Sequence, residues 1–193
     1  MSEFAWRAFY GGVVTPLMAV GMRVGALVDE KARDVSAGQR RAEADLTQQL
    51  RDLEEAAPDR ATLPGLWLHA TSVGEFEQAK PILRELWPTH RVAVTCFSPS
   101  VHAGMLRYPY KDMATYLPLD SRRNVTRFFD LIQPTALLFS KFDIWPNCVW
   151  EAHRRGVPCA LIAGTMHATS KRLRPGLRGL LRHVHNRIAL QCA

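Results

Sequence analysis

The chain has 193 residues, 47% of them hydrophobic, which suits one globular domain with a sizeable core plus an appendage and excludes a disordered chain. Its formal net charge is +7, and a one-signed surface of that kind attracts phosphates on nucleic acid, on an anionic bilayer or on a substrate. The four cysteines form no C-x-x-C pair, and no His/Cys cluster has zinc spacing, so no metal centre is expected.

Trp6 to Val28 is apolar but flanked and interrupted by Arg7 and Arg23. Its uninterrupted core, Ala8 to Met22, contains Gly11, Gly12 and Pro16 and falls short of the about twenty apolar residues that a spanning helix needs. An interfacial helix fits better, its apolar face among headgroups and its arginines on phosphates. A helix packed on the domain or on a partner is the alternative. Lys31 to Glu55 is highly charged, with Ala42, Leu46, Leu50 and Leu53 at helical spacing, and predicts an exposed amphipathic helix. Ala56 to Pro64 reads as a linker. The expected organisation is therefore an apolar membrane-associated helix over 1–28, a charged helix and linker over 29–64, and an α/β domain over 65–193.

From Gly65 the pattern alternates. Strand-like runs at Leu66–Ala70, Arg91–Cys96, Thr115–Leu117, Thr135–Phe139, Cys159–Ala163 and Ile188–Cys192 are separated by helical segments. Those segments are Glu75–Trp87, Pro99–Arg107, Arg122–Ile132, Pro146–Arg155 and a basic one near Ser170–His185. Such alternation predicts an open parallel sheet with helices on both faces, a Rossmann-like fold. Pro81 predicts a kink or late start in its helix, and Asp120 stands where it can cap the helix after it. Cys96, Cys159 and Cys192 lie in or beside strand runs, so buried free thiols and a reducing cytoplasm are expected. After Glu151 there is no acidic residue, while Arg154, Arg155, Lys171, Arg172, Arg174, Arg178, Arg182 and Arg187 follow. That segment lacks interleaved aromatics and no nucleic-acid motif is present, so nucleic acid is not the expected partner. No G-x-G-x-x-G follows the first strand, which disfavours a dinucleotide cofactor; no cofactor is expected.

Three turns fall on the edge where such sheets bind ligands. The first, His69-Ala-Thr-Ser-Val-Gly-Glu75, offers the backbone N–H groups of Ser72 to Gly74 at a helix N-terminus. Glu75 there is either a base for a hydroxyl or a first-turn carboxylate compensating the helix dipole, and spacing alone favours the second. The next turn, Thr95-Cys-Phe-Ser-Pro-Ser100, carries hydroxyls, with Ser98 placed to cap ahead of Pro99. The third, Ser140-Lys-Phe-Asp-Ile-Trp-Pro-Asn147, collects Lys141, Asp143, Trp145 and Asn147. Lys141 can meet a phosphate or carboxylate and Asp143 can orient a hydroxyl, or the two can pair at the surface.

These segments resemble a known family. His69–Glu75 resembles the H-A-x-S-x-G-E motif of 3-deoxy-D-manno-octulosonic acid (Kdo) transferases. Thr95–Ser100, Tyr116-Leu-Pro-Leu-Asp120 and Asp143-Ile-Trp-Pro-Asn147 resemble three further motifs of that family, in the same order. The resemblance covers roughly Leu66 to Ser170. It implies a metal-independent inverting glycosyltransferase of two Rossmann halves (GT-B) on the cytoplasmic face of the inner membrane. The amino-terminal half holds a lipid A precursor acceptor and the carboxyl-terminal half holds CMP-Kdo. It implies Glu75 as the catalytic base, with Ser72, Gly74, Thr95, Ser98, Ser100, Lys141, Asp143 and Asn147 on the acceptor side. An anionic membrane surface is the further partner implied.

The chain departs from that family at several places. Lys141-Phe-Asp143 stands where many members carry E-T-E, Ala163 and Thr165 replace a familiar asparagine and arginine, and Val101 stands where glycine is common. The chain ends at Ala193, near where the family crosses into its donor-binding half, so no transfer by this chain alone is expected. The alternative is a non-catalytic module that binds a membrane surface and keeps the fold.

Overall fold

A computed structural model describes residues 2–141, 143–164 and 175–192, the side chains of 175–177 apart. Lys171, Arg172, Arg174, Thr165 and the start of the basic segment at Ser170 lie outside the described residues. The chain enters through α1 (Glu3–Phe9), a π-helical turn (Tyr10–Val14) and α2 (Thr15–Val28), then α3 (Glu30–Ala56) and a short α4 (Pro58–Ala61). The α/β body follows as β1 (Gly65–Ala70), α5 (Val73–Leu86), β2 (Arg91–Cys96), α6 (Pro99–Arg107), β3 (Met113–Tyr116) and α7 (Arg122–Ile132). It continues with β4 (Pro134–Ser140), α8 (Pro146–Arg155), β5 (Cys159–Ile162), α9 (Pro175–His185) and β6 (Leu190–Gln191).

All six strands are parallel, in the order β3-β2-β1-β4-β5-β6. This is the Rossmann order, which reverses direction between β1 and β4 and opens a crevice there at the carboxyl ends of the strands. Every residue of β1 and β2 is buried, as an apolar run in a doubly covered sheet demands. The core is anchored by Trp67, fully buried against Phe128 and Phe129 of α7, with ring centroids 6.0 and 5.2 Å away. Pro81 sits inside α5 without ending it.

Helix α3 has a different environment from the exposed one expected of its charge. It buries Val35, Ser36, Gly38, Ala42 and Leu46 and covers the free edge of β3. The Gln49 amide exchanges hydrogen bonds with the Ala114 backbone, donating at 3.0 Å and accepting at 2.8 Å, and Gln39 donates to the Leu117 carbonyl at 2.7 Å. An edge strand presents unpaired backbone groups, and here Gln49 takes both those of Ala114 while Gln39 takes the carbonyl of Leu117 just past the strand. Gly38 lets α3 approach closely, since a Cβ there would lie 2.3 Å from the Tyr116 ring.

The segment expected as a plain linker contains α4, and its Arg60 grips the amino-terminal edge of the sheet. Arg60 pairs with both carboxylate oxygens of Asp112 and donates to the carbonyls of Trp87 (2.9 Å) and His90 (3.0 Å). Two further expectations are corrected. Cys192 is exposed, while Cys96, Cys148 and Cys159 are buried free thiols; β6 is only two residues long and lies at the sheet margin, leaving Cys192 beyond it. Asp120 does not cap α7: Ser121 does, accepting from the Asn124 N–H at 3.3 Å.

Residues 3–28 form one helical run of 26 residues, long and apolar enough by length and composition to cross a membrane. Gly11, Gly12 and Pro16 do not break it, because the π-helical turn absorbs the irregularity and Pro16 sits in the first turn of α2. The run is nevertheless tied along one side to the domain. Arg7 donates to the Trp150 carbonyl at 3.2 Å, Tyr10 to Asp120 at 2.9 Å, and Thr15 to the Asp120 carbonyl at 3.3 Å, while Glu3 pairs with Arg187. Its outward side exposes Phe9, Val13, Leu17, Val20, Val24 and Leu27, whose spacing of three and four residues makes one apolar stripe.

Candidate functional site

The turn after β1 is a helix start. Ser72 caps α5, its hydroxyl accepting the Glu75 N–H at 3.3 Å, and the Glu75 side chain reaches back to complete a capping box. Glu75 Oε2 accepts from the N–H groups of Thr71 (2.7 Å) and Ser72 (3.2 Å), and among the described residues no hydrogen bond is made to Oε1. The residue is 8% exposed, so the carboxylate is held rigidly just below the rim. Gly74 beside it is exposed, with nothing within 4 Å of where a Cβ would be. The turn after β4 closes on the same place, since Ser140 Oγ donates to the Glu75 carbonyl at 2.8 Å. Glu75 therefore stands between β1 and β4, where the strand order reverses.

Beneath it runs a closed polar network. The Trp145 indole N–H donates to His69 Nε2 at 2.9 Å, which makes Nδ1 the protonated ring nitrogen; that N–H donates to Thr95 Oγ1 at 3.1 Å. Thr95 also accepts from Trp67 Nε1 (2.9 Å) and donates to the Leu68 carbonyl (3.4 Å). Burial lowers the His69 pKa to about 4, against the opposing pull of the nearby Asp143 charge. His69 is thus a neutral acceptor that fixes the Trp145 ring. Phe97, from the turn after β2, stacks on that ring at 5.6 Å. The turns after β2 and β4 meet through this aromatic pair, which His69 of β1 anchors.

A second buried centre is Asp120, 1% exposed. Its Oδ2 accepts from the Tyr10 hydroxyl (2.9 Å) and the Asn147 N–H (3.0 Å), and its Oδ1 from the Cys148 thiol (3.6 Å). The Asn147 side chain donates to the Asp120 carbonyl at 2.6 Å. Burial raises the Asp120 pKa to about 6, and the three donors hold it from rising further. Burial and the neighbouring Asp120 raise the Cys148 thiol and the Tyr10 phenol. The carboxylate thereby joins the amino-terminal helix to the first turn of α8.

The residues singled out by sequence are distributed unevenly over this geometry. Ser72, Gly74 and Glu75 form one unit. Asp143 lies within electrostatic reach of His69. Thr95 is 0% exposed with its hydroxyl fully engaged, so it positions His69 and Trp67 rather than facing a ligand. Asn147 is committed to Asp120 through its backbone and its amide. Ser98 occupies the cap position of α6 but makes no side-chain cap bond, and Ser100 is exposed on the first turn. Lys141 adopts φ 60°, with its N–H donating to the Ile162 carbonyl at 2.8 Å. Ala163, at the end of the adjacent strand, adopts φ 52°. Non-glycine residues in this region are strained by roughly 1–2 kcal/mol, least so asparagine, so the alanine stands where the resembling family's asparagine would be at ease. Asp120, Tyr10 and the His69–Trp145 bond are the parts that sequence reading missed as a site. The only signal for Asp120 was its motif, Tyr116-Leu-Pro-Leu-Asp120. Among the described residues no group of His, Cys, Asp and Glu is arranged to hold a metal ion.

A family model described as 3-Deoxy-D-manno-octulosonic-acid transferase (kdotransferase) matches residues 35–193. The 3-deoxy-D-manno-octulosonic acid transferase of Aquifex aeolicus is 38% identical over 85 residues, 44% of this chain and 24% of that protein. The Haemophilus influenzae protein of the same name is 27% identical over 134 residues, 67% of this chain and 31% of that protein. That of Chlamydophila psittaci is 33% identical over 114 residues, 56% of this chain and 26% of that protein. The matched region thus spans between 24% and 31% of these relatives' length. The Rossmann-ordered sheet, the Glu75 turn at its switch point and a family match over most of the sequence agree: the chain belongs to the family of 3-deoxy-D-manno-octulosonic acid transferases.

Proposed function

We propose that these residues are the acceptor-binding half of an inverting glycosyltransferase that moves Kdo or a related sugar from a CMP-sugar to a lipid A-type acceptor, in building a lipopolysaccharide core. Glu75 is the base. It takes the proton of the acceptor hydroxyl as that oxygen bonds to the anomeric carbon, while the carbon–oxygen bond to the phosphate breaks and CMP leaves with the electron pair. The observation that carries this reading is the Glu75 carboxylate itself. It is buried at the switch point of the sheet, pinned through Oε2 by two backbone N–H groups and without a hydrogen bond on Oε1 among the described residues. A rigid base of known orientation is what proton abstraction requires. Donor binding falls to a second α/β domain, and transfer needs that domain present. Ser72, Gly74, Ser98, Ser100, Lys141 and Asp143 face the acceptor; Thr95 and Asn147 hold the two buried networks in register.

Glu75→Gln is the informative substitution. Glutamine serves a capping box as well as glutamate does, so the fold and its melting temperature should stay unchanged. Loss of the base should lower transfer by about 10²–10⁴-fold, measured with a donor-binding domain supplied and a CMP-sugar as donor. Unchanged transfer would remove Glu75 as base. The capping box supports a second reading, a non-catalytic surface-binding module in which Glu75 only starts a helix. Equal, background-level transfer by both chains would favour that module.

The membrane surface proposed as partner is the cytoplasmic face of the inner membrane. The apolar stripe from Phe9 to Leu27 lies opposite the side that docks on the domain, the geometry of a helix lying in an interface. Sedimentation with phosphatidylglycerol vesicles should fall at least tenfold when Leu17 and Val20 are both changed to Asp, and should weaken with salt. Undiminished sedimentation of that variant overturns the assignment.

A further inference from the structure

The docking of the amino-terminal run converges on Asp120. Tyr10 and Thr15 are the buried residues of Glu3–Val28, and both donate to that one residue. The Tyr10 hydroxyl reaches Oδ2 at 2.9 Å and the Thr15 hydroxyl reaches the backbone carbonyl at 3.3 Å. Tyr10 opens the π-helical turn, and an irregularity of that kind inside a helix is frequently kept at a functional site. Its ring also meets Trp150 of α8 edge to face, with centroids 5.7 Å apart.

The same two acceptors serve α8. Asp120 Oδ2 also takes the Asn147 N–H at 3.0 Å, and the Asp120 carbonyl also takes the Asn147 side-chain amide at 2.6 Å. Each acceptor is therefore shared between the amino-terminal run and the start of α8. That start needs an outside partner. Its cap residue, Trp145, makes no side-chain cap bond, and Pro146 has no N–H. The first free N–H groups of a helix are usually met by the oxygen of its own cap residue. Here a carboxylate 27 residues away does it, with its charge at the positive end of the helix dipole. Trp145, just ahead of that cap, is the ring that bonds His69 at 2.9 Å and stacks on Phe97. We propose that Tyr10 and Asp120 are positioning residues for the acceptor side of the site. Seating of the amino-terminal helix holds the start of α8, and with it holds the Trp145 turn against His69 and Phe97. A helix lifted from the domain takes the Tyr10 and Thr15 donors with it, and the turn loosens. The effect on transfer rests on the glycosyltransferase reading above; the effect on Trp145 does not.

The test uses the full chain with nitrogen-labelled tryptophan and follows the indole N–H resonances of the folded state by NMR. The Trp145 resonance is the one lost in Trp145→Phe. Tyr10→Phe removes one hydroxyl and keeps the ring against Trp150. The Trp145 resonance should then move toward the position of free indole, as its bond to His69 weakens. The Trp67 indole, bonded to Thr95 at 2.9 Å, should stay in place, because a change in overall stability alone leaves folded-state resonances where they are. Tyr108→Phe removes a comparable hydroxyl, one that donates to the Lys80 carbonyl of α5 at 2.7 Å, and should leave Trp145 unmoved. With a donor-binding domain and a CMP-sugar supplied, Tyr10→Phe should raise the acceptor KM about tenfold, the scale of one hydrogen bond to a charged group. The kcat should hold, because the N–H groups of Thr71 and Ser72 fix Glu75 without help from α8. A Trp145 resonance unmoved in Tyr10→Phe, an equal movement in Tyr108→Phe, or a fall in kcat at constant KM overturns the proposal. A parent chain that transfers no sugar under these conditions removes the glycosyltransferase reading alone, and the position of the Trp145 resonance still decides the coupling.

Discussion

Replacing Arg60 by methionine should cost about 3–5 kcal/mol of unfolding free energy, the usual penalty for stranding one partner of a buried ion pair. Asp112 has only 4% of its side chain exposed and Arg60 only 16%. With Arg60 gone, Asp112 retains the Val92 N–H at 2.7 Å as its acceptor duty, too little for a charge out of water. The carbonyls of Trp87 and His90 lose their donor at the same time, and the Trp87 ring loses a guanidinium stacked 3.7 Å from its centroid. Combining Arg60→Met with Asp112→Asn removes the stranded charge and keeps an acceptor for Val92, so the double variant should recover much of the loss. Urea unfolding followed by circular dichroism measures both, and a single-variant cost under about 1 kcal/mol would assign the clamp the value of a surface pair. Because Arg60 grips the amino-terminal edge of the sheet, Glu75 and its turn should be unaffected below the transition.

That clamp also marks where sequence reading stops. The helices Pro99–Arg107, Arg122–Ile132 and Pro146–Arg155 and the strand Arg91–Cys96 have the same bounds in the sequence pattern and in the structure, because apolar periodicity and proline or serine starts act within a few residues of themselves. The Glu75 turn was equally legible, since capping box and strand run are local. Tertiary roles of polar residues were not. Gln39 and Gln49 look like solvent-facing residues of a charged helix, yet they take backbone groups of Leu117 and Ala114 from 78 and 65 residues away. Asp120 looks like a cap because it precedes a helix; the adjacent Ser121 takes that position and Asp120 turns inward to Tyr10, 110 residues distant. No periodicity encodes such a pair. Arg60 sits in a stretch rich in breakers, and nothing near it announces Asp112. The site shows the same division: its turns and their order were readable, while the buried hydrogen bonds holding them together were not.

Those buried groups should make themselves visible through pH. The His69 pKa falls from 6.5 to about 4 on folding, so the unfolded chain takes up the proton first on acidification. Its contribution is fully present above pH 6.5 and is lost by about pH 4. Asp120 does the reverse. Its pKa rises from 3.8 to about 6, so the folded chain takes up the proton first, and stability is gained as pH falls from about 6 to 3.8. At 1.36 kcal/mol per unit, each group is worth on the order of 3 kcal/mol, with opposite sign over nearly the same window. His102 and His183, both lowered by burial, add smaller losses of the same sign as His69. Glu151, held down to about 2 by Arg154 and Arg155, titrates below the window. The parent chain should therefore lose little stability between pH 6.5 and 4.5. His69→Gln removes the loss and keeps a side-chain acceptor for Trp145, so that variant should gain on the order of 2 kcal/mol relative to the parent across the interval. Asp120→Asn removes the gain and should lose a similar amount. Urea midpoints at pH 6.5 and 4.5 decide the matter, and parallel pH slopes for all three chains would show that neither group carries its proton differently in the folded state.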